Sequence, residues 1–235
     1  RLPEKMGFDF AAMVPLQLQS NLDQLDRIRN LIVGGAPVSE KLEQEIRDLP
    51  TRIFATYGMT ETITHIALRP LNLSAGRKKR QPIYRGLPGV FFETDSRGCL
   101  VIHAGHLSAE AVVTNDLVEL VSENEFIWKG RLDSVINSGG VKLIPEEIER
   151  KFSECIEGRF FVAGLSDQEL GQRLVFVIEG PADNQLLDRL VQFQKASGGS
   201  ILKQELPKDL FFLDHFVETE SKKIDRRKTL ELLKR

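Results

Sequence analysis

Apolar positions fall along this chain in three successive patterns. Up to about residue 57, short apolar runs alternate with stretches of helical spacing. Asn30-Leu31-Ile32-Val33 reads as a strand ending in Gly34-Gly35-Ala36-Pro37; Ser39 then stands where an N-cap would, and Leu42 and Ile46 share one face of the helix that follows. Residues 51–54 read as a buried strand, with 55–62 as the loop at its C-terminal end. Between 65 and 128 the runs become short and alternating. Turns at Gly86-Leu87-Pro88-Gly89, Ser96-Arg97-Gly98 and Ser122-Glu123-Asn124 predict antiparallel β structure there. Beyond Gly130-Arg131 the pattern is mixed. It predicts a helix over 145–152 with proline in its first turn and acids near its positive end, strands over 159–164, 173–178 and 210–213, and an amphipathic helix over 184–196 ended by Ser197-Gly198-Gly199. No internal repeat is present. The expected class is α/β plus α+β, with a domain boundary near Gly130 separating residues 1–129 from 130–235.

Composition narrows this without changing it. The chain has 235 residues, 41% hydrophobic and 28% charged, which is ordinary for a soluble globular protein. A net charge of -2 supplies no general attraction to nucleic acid or to an anionic membrane. No apolar run is long enough to insert across a bilayer, and no signal peptide is evident. Two cysteines, Cys99 and Cys155, make no disulfide framework and fit a reducing cytoplasm. Because the chain starts at Arg1 amid what reads as an established fold, it is expected to be the C-terminal part of a longer protein.

Candidate chemistry lies in a few separated segments. Ala55-Thr56-Tyr57-Gly58-Met59-Thr60-Glu61-Thr62 puts a ring, a flexible glycine, hydroxyls and a carboxylate on one stretch at a strand's C-terminal end, where open α/β sheets bind ligands. These groups suit a nucleotide: stacking on the base, bonding to phosphate, and holding magnesium. Gly34-Gly35-Ala36-Pro37 would let a ligand approach backbone, although alone it is also an ordinary strand-to-helix turn. Asp116, in Thr114-Asn115-Asp116-Leu117, could accept from both hydroxyls of a ribose, or could be a turn aspartate before a strand. The window from Gly130 to Glu149 combines glycines, basic residues and a helix start.

Together these segments resemble the adenylate-forming superfamily: acyl- and aryl-CoA synthetases, firefly luciferase and peptide-synthetase adenylation domains. The Gly130–Glu149 window is the most specific match. The resemblance covers the whole chain. It implies the C-terminal part of a large adenylating domain (an α/β layer and a distorted antiparallel β-barrel) over 1–129, then a small, mobile α+β lid domain over 130–235. Within the superfamily, Met13-Val14-Pro15-Leu16-Gln17-Leu18-Gln19, Leu31-Ile32-Val33-Gly34-Gly35-Ala36-Pro37 and Thr64-His65-Ile66-Ala67 look most like the o-succinylbenzoate–CoA ligases of menaquinone biosynthesis. The activity implied is acyl-adenylate formation followed by thioester formation, with ATP, Mg2+ and coenzyme A, on an aryl or acyl carboxylic acid. Other members of the superfamily, including benzoate-, fatty-acid- and carrier-protein-loading enzymes, remain alternatives, as does a non-catalytic nucleotide-binding module.

The resemblance carries roles onto matching positions. Gly35, Ala36 and Pro37 would border the adenine, Tyr57 would stack on it, and Thr56, Gly58 and Met59 would complete that loop. Thr60 would hold phosphate and Glu61 Mg2+. Asp116 would bind the ribose, Arg131 the ribose and α-phosphate region, and Lys142 would lie near phosphate. Asp133 falls at the hinge position. Gly139 and Gly140 would flank the pantetheine tunnel, and Gly34 and His65 would border the acid pocket. In Thr219-Glu220-Ser221-Lys222-Lys223-Ile224-Asp225-Arg226 the catalytic lysine would be Lys223, with Lys222 in place of the usual glycine and able to share its role. The same stretch also reads as a solvated basic helix over Ile224, Leu230 and Leu233. The superfamily's Ser/Thr/Gly-rich phosphate loop has no counterpart here and is expected upstream of Arg1. The spacing of Cys99, His103 and His106 does not make a closed metal site, Arg77-Lys78-Lys79-Arg80 reads as a solvated hairpin loop, and His215 beside Phe216 reads as packing.

Overall fold

The computed structural model describes residues 7–72, 82–108, 110–220 and 223–233. The chain divides into two compact units, Arg1–Lys129 and Gly130–Arg235. The run at Arg77–80 and Lys222 lie outside the described residues.

In the first unit, strands β1 (Phe8–Met13), β2 (Ile28–Val33) and β3 (Arg52–Gly58) run parallel, in register from Phe8↔Ile28 to Met13↔Val33 and from Asn30↔Arg52 to Val33↔Ala55. Helix α1 (Pro15–Ser20) follows β1, and α2 (Glu40–Glu45) joins β2 to β3. Ser39 caps α2 by accepting from the Leu42 amide at 3.2 Å. Leu18, Leu25, Ile28, Leu31, Leu42, Ile46 and Ile53 form one buried cluster between strands and helices. Strand β1 was not expected. It is an edge strand with Phe10 58% exposed, so its sequence shows no clean alternation. Strand β3 also runs past its predicted end, because β4 (His65–Pro70) pairs antiparallel to it as far as Gly58↔His65 and supplies hydrogen bonds that local sequence does not announce.

The antiparallel strands continue the same sheet. With β5 (Ile83–Gly86), β6 (Phe91–Thr94), β7 (Cys99–His103), β8 (Val112–Ser122) and β9 (Glu125–Arg131), the nine-stranded order is β1-β2-β3-β4-β5-β9-β8-β7-β6. Phe126 is fully buried in a second cluster, with the rings of Phe92, Tyr57 and Tyr84 at 4.9, 5.0 and 5.5 Å. In a flat sheet β3 and β8, four strands apart in this order, would be about 19 Å apart. Yet side chains of the two strands touch, so this sheet curls strongly around Phe126 and gives the antiparallel part its barrel-like form.

The second unit is built on β12 (Phe160–Asp167) and β13 (Gly171–Glu179), antiparallel from Phe160↔Ile178 to Asp167↔Gly171. A short hairpin, β10 (Ile136–Ser138) and β11 (Val141–Leu143), joins β13, and β14 (Asp209–Leu213) lies parallel to it. Alternate residues of β13 enter two cores. Leu174, Phe176 and Ile178 meet Ile148 and Phe152 of α3 (Pro145–Phe152) and Leu186 and Leu190 of α4 (Leu186–Ala196). Val175 and Val177 meet Phe161 and Phe216 on the other side, with Leu230 of α5 (Arg226–Leu232) and Leu233 packed against them. Burial on both faces explains why 174–178 reads as a continuous apolar run.

Candidate functional site

Three features converge at the C-terminal ends of β2 and β3. Gly34 follows β2 beside Thr56, whose hydroxyl donates to the Val33 carbonyl at 3.3 Å; a Cβ at Gly34 would stand 2.5 Å from that hydroxyl oxygen. Gly35 has φ +84°, a conformation that suits glycine, and the loop through Ala36 and Pro37 is exposed. Tyr57 is half-buried against Phe126, and its hydroxyl donates to Asp116 Oδ2 at 2.5 Å across 59 residues of sequence. The bond places ring and carboxylate side by side.

Asp116 is held there by a local irregularity. It lies within β8 rather than in a turn before it. From Val113 to Leu117 strand β8 advances four residues while its partner advances two, from Val101 to Cys99. Such bulges re-aim side chains. Thr114 fixes this one by donating to the Leu100 carbonyl at 2.8 Å and accepting from the Asp116 amide at 3.0 Å. Asp116 is only 6% exposed.

The loop after β3 is a tight turn. Met59 leads into a single 3-10 turn, Thr60–Thr62, in which Thr60 and Glu61 are exposed. Thr62 is buried, and its hydroxyl accepts from the Met59 amide at 3.0 Å. Ile63 then has φ +62°, uncommon for a β-branched residue, and is 80% exposed. Gly58 is required by close approach, since a Cβ there would lie 2.5 Å from the Thr64 carbonyl. His65 opens β4, its Nδ1 3.3 Å from the Thr64 hydroxyl. Sequence reasoning missed Arg69, four residues on. Its guanidinium is largely buried, donates to Glu43 at 2.8 Å and sits 5.7 Å from the Tyr84 ring centre. A lone arginine in an apolar strand was its only signal.

In the second unit the predicted residues take separate positions. Arg131 and Asp133 pair with each other, at 2.9 and 3.1 Å, and this guanidinium fork holds the Asp133 carboxyl below its ordinary range. Gly139 and Gly140 form the turn between β10 and β11 with φ +57° and +82°. A Cβ on Gly139 would meet Leu170 at 3.2 Å, whereas around Gly140 there is open space. Lys142 is exposed on β11, opposite Asn137. Lys223 is exposed and precedes α5 rather than lying on it. Ile224, Leu230 and Leu233 do pack inward, as a basic helix would require. Arg226, with 38% of its side chain exposed, departs from the other basic residues by turning toward α3. It donates to Glu149 at 2.9 Å. Among the residues set aside earlier, Cys99 is buried, His103 Nε2 is 2.9 Å from Glu93, and His215 is exposed, so that Phe216 alone makes the packing. Within the first unit, an open cleft of about 620 Å3 lies at the N-terminal ends of β1–β3, the opposite ends from Gly34 and Tyr57, lined by Asp9, Arg27, Arg29 and Arg52.

No protein-family model matches the chain. A crystal structure of an acyl-CoA synthetase (AMP-forming)/AMP-acid ligase II-like protein from Dyadobacter fermentans is 38% identical, over 98% of this chain and 67% of that one, with a TM-score of 0.53. An indoleacetate–CoA ligase of Aromatoleum aromaticum is 27% identical over 99% of this chain. A 2-succinylbenzoate–CoA ligase of Haemophilus influenzae is 26% identical over 72% of it. The chain covers 51% and 40% of those two ligases, about half their length. A curled α/β sheet that joins a tyrosine near the end of β3 to an aspartate within β8, together with this likeness, places the chain in the family of AMP-forming acyl-CoA synthetases, among the adenylate-forming enzymes.

Proposed function

We propose that this chain serves an ATP-dependent carboxylate–CoA ligase whose acid is 2-succinylbenzoate. The observation that carries the nucleotide reading is the Tyr57–Asp116 hydrogen bond, which sets an aromatic face beside a carboxylate able to accept from two ribose hydroxyls. Gly35, Ala36 and Pro37 border the base, Thr56, Gly58 and Met59 shape the loop, and Thr60 bonds to phosphate. Glu61 offers one exposed carboxylate. Among the described residues no three metal-ligating side chains gather. One carboxylate is enough for magnesium that arrives with the nucleotide, since phosphate oxygens and water supply its remaining ligands.

In the first half-reaction a carboxylate oxygen attacks the α-phosphorus of Mg·ATP and pyrophosphate leaves. Lys223 stabilises the negative charge that grows there, with Arg131 and Lys142 contributing positive potential. In the second, the thiol of coenzyme A loses its proton, its sulfur attacks the acyl carbon, and AMP leaves. The Gly139–Gly140 turn, free of side chains, gives the pantetheine arm room beside backbone. Asp133 is the point about which the second unit turns between the two steps. Gly34 and His65 border the acid. The family's phosphate-gripping loop has no counterpart in this sequence, which spans about half the length of the ligases it matches, so the chain alone should show little or no turnover. Two cysteines that form no disulfide suit a reducing cytoplasm.

Substrate-dependent exchange of labelled pyrophosphate into ATP, run on the complete ligase, tests the reading. 2-Succinylbenzoate should support exchange, and Asp116→Ala should raise the KM for ATP by about 10- to 100-fold, the loss of one charged hydrogen-bonding group. No exchange with any acid would reject an adenylating function. Exchange with indole-3-acetate in preference would favour the second reading, an indoleacetate–CoA ligase, which the likeness over nearly the whole chain supports.

A further inference from the structure

Lys223 lies on a short hairpin whose two flanks are each tied down by an arginine–glutamate pair. The hairpin is closed by Thr219 N to the Lys223 carbonyl at 2.8 Å, by Lys223 N to the Thr219 hydroxyl at 3.2 Å, and by Asp225 N to the Val217 carbonyl at 2.8 Å. On the entering side, Glu218 accepts from Arg159 Nη1 at 2.7 Å. On the leaving side, Arg226 donates through Nη2 to Glu149 Oε2 at 2.9 Å, with its guanidinium 5.6 Å from the Phe161 ring centre.

The Arg226 tie reaches further. The other Glu149 oxygen accepts from the Val162 amide at 2.8 Å, which anchors the acid to β12. Glu146, one turn earlier on α3, lies 3.9 Å from Arg226. Glu146 accepts from the Ser134 hydroxyl at 2.9 Å, in the 3-10 turn Leu132–Ser134 that also contains Asp133. Gly130 makes room for this arrangement: a Cβ there would stand 2.5 Å from Glu146 Oε2 and 2.4 Å from Ile144 Cγ2. A continuous set of contacts therefore runs from the segment holding Lys223 to the turn at the start of the second unit.

We propose that Arg226 is a positioning residue for Lys223, fastening the lysine's hairpin to α3 through Glu149 and, through Glu146 and Ser134, to the turn around Asp133. The inference rests on the assignment of Lys223 to adenylation. Its physical basis is that a lysine side chain is long and rich in rotamers, so its reach is useful only from a fixed backbone. A displacement of about 1 Å can cost roughly 100-fold in rate. An arginine between two acids on one rigid helix supplies that fixing. Burial raises the Glu149 pKa to about 7, against the opposing pull of Arg226 and the Val162 amide and with a smaller push from Glu146. Glu149 is the more buried member, with 18% of its side chain exposed against 38% for Arg226, so the arginine is held from the protein side by an acid that cannot move.

The test separates the two half-reactions in the complete ligase. Arg226→Met should lower the kcat of pyrophosphate exchange by about 10- to 100-fold, leave thioester formation from supplied acyl-adenylate unchanged, and cause no further loss in a Lys223→Ala background. Arg226→Lys, which keeps the charge and loses the fork, should fall between. Glu149→Gln should shift the same half-reaction in the same direction, and it carries the comparison if Arg226→Met does not fold. Equal loss in both half-reactions, or full additivity with Lys223→Ala, overturns the positioning role. So does unimpaired exchange in both Arg226→Met and Glu149→Gln when Lys223→Ala alone is crippled. Unimpaired exchange in Lys223→Ala would instead remove the lysine assignment, and this inference with it.

Discussion

Glu149 shows how little a residue's type says about its state. In the unfolded chain its carboxyl ionises near 4.5; in the fold, burial first and Glu146 second hold the proton to about pH 7, outweighing Arg226 and the Val162 amide. A pKa raised by folding contributes stability that is complete below the unfolded value and is lost as pH rises through the folded one. Wild type should therefore lose stability relative to Glu149→Gln between pH 5 and 8, by up to about 3 kcal/mol at the usual conversion. Urea midpoints of the two proteins at several pH values check this, and a gap that stays constant or moves the other way contradicts it. At this scale the sequence shows the residue types that prompt a proposal, such as Tyr57, Glu61 and Lys223. It did not expose Arg226, Glu149 or Arg69, whose importance lies in what they touch. Arg226 reaches Glu149 across 77 residues of sequence.

Elements were legible where their pattern is local. The helix over 145–152 has proline at its start and acids in its first turn, and Ser39 caps α2 as its position implied. The hairpin of β10 and β11 escaped because three residues per strand are too few to show alternation. Its turn does follow a local rule, since Gly139 and Gly140 both take positive φ, as a two-residue turn of type I′ requires. Gly140 isolates the backbone contribution, because a Cβ there meets no atom within 4 Å. Gly140→Ala should destabilise the chain by about 1–2 kcal/mol through conformation alone. Gly140→Asn should cost clearly less, because asparagine enters this region more readily. Denaturant unfolding of the two variants decides it; equal stability would mean that the positive φ is not what selects glycine.

At the scale of the whole molecule, the chain comprises two compact units meeting in sequence at Lys129–Gly130. If Asp133 is the pivot between half-reactions, Asp133→Pro should slow thioester formation at least about 10-fold while sparing pyrophosphate exchange, because proline fixes φ. Proline also removes the Arg131–Asp133 pair, so Asp133→Ala is the necessary control, losing the pair but not the freedom. Thioester formation equally slow in both variants would assign the effect to the pair and end the pivot reading.

The sequence by itself determined the elements with local signals, such as α2, α3, α4, β12 and β13, the change from α/β to antiparallel β to mixed structure, and the family resemblance, because periodicity, caps and turn residues act over a few positions. Only the tertiary structure decided that β3 continues to Gly58, that a bulge in β8 aims Asp116, and that the sheet curls until that carboxylate meets Tyr57. Strand pairing and the burial of charged groups depend on neighbours distant along the chain, and a one-dimensional pattern does not record them.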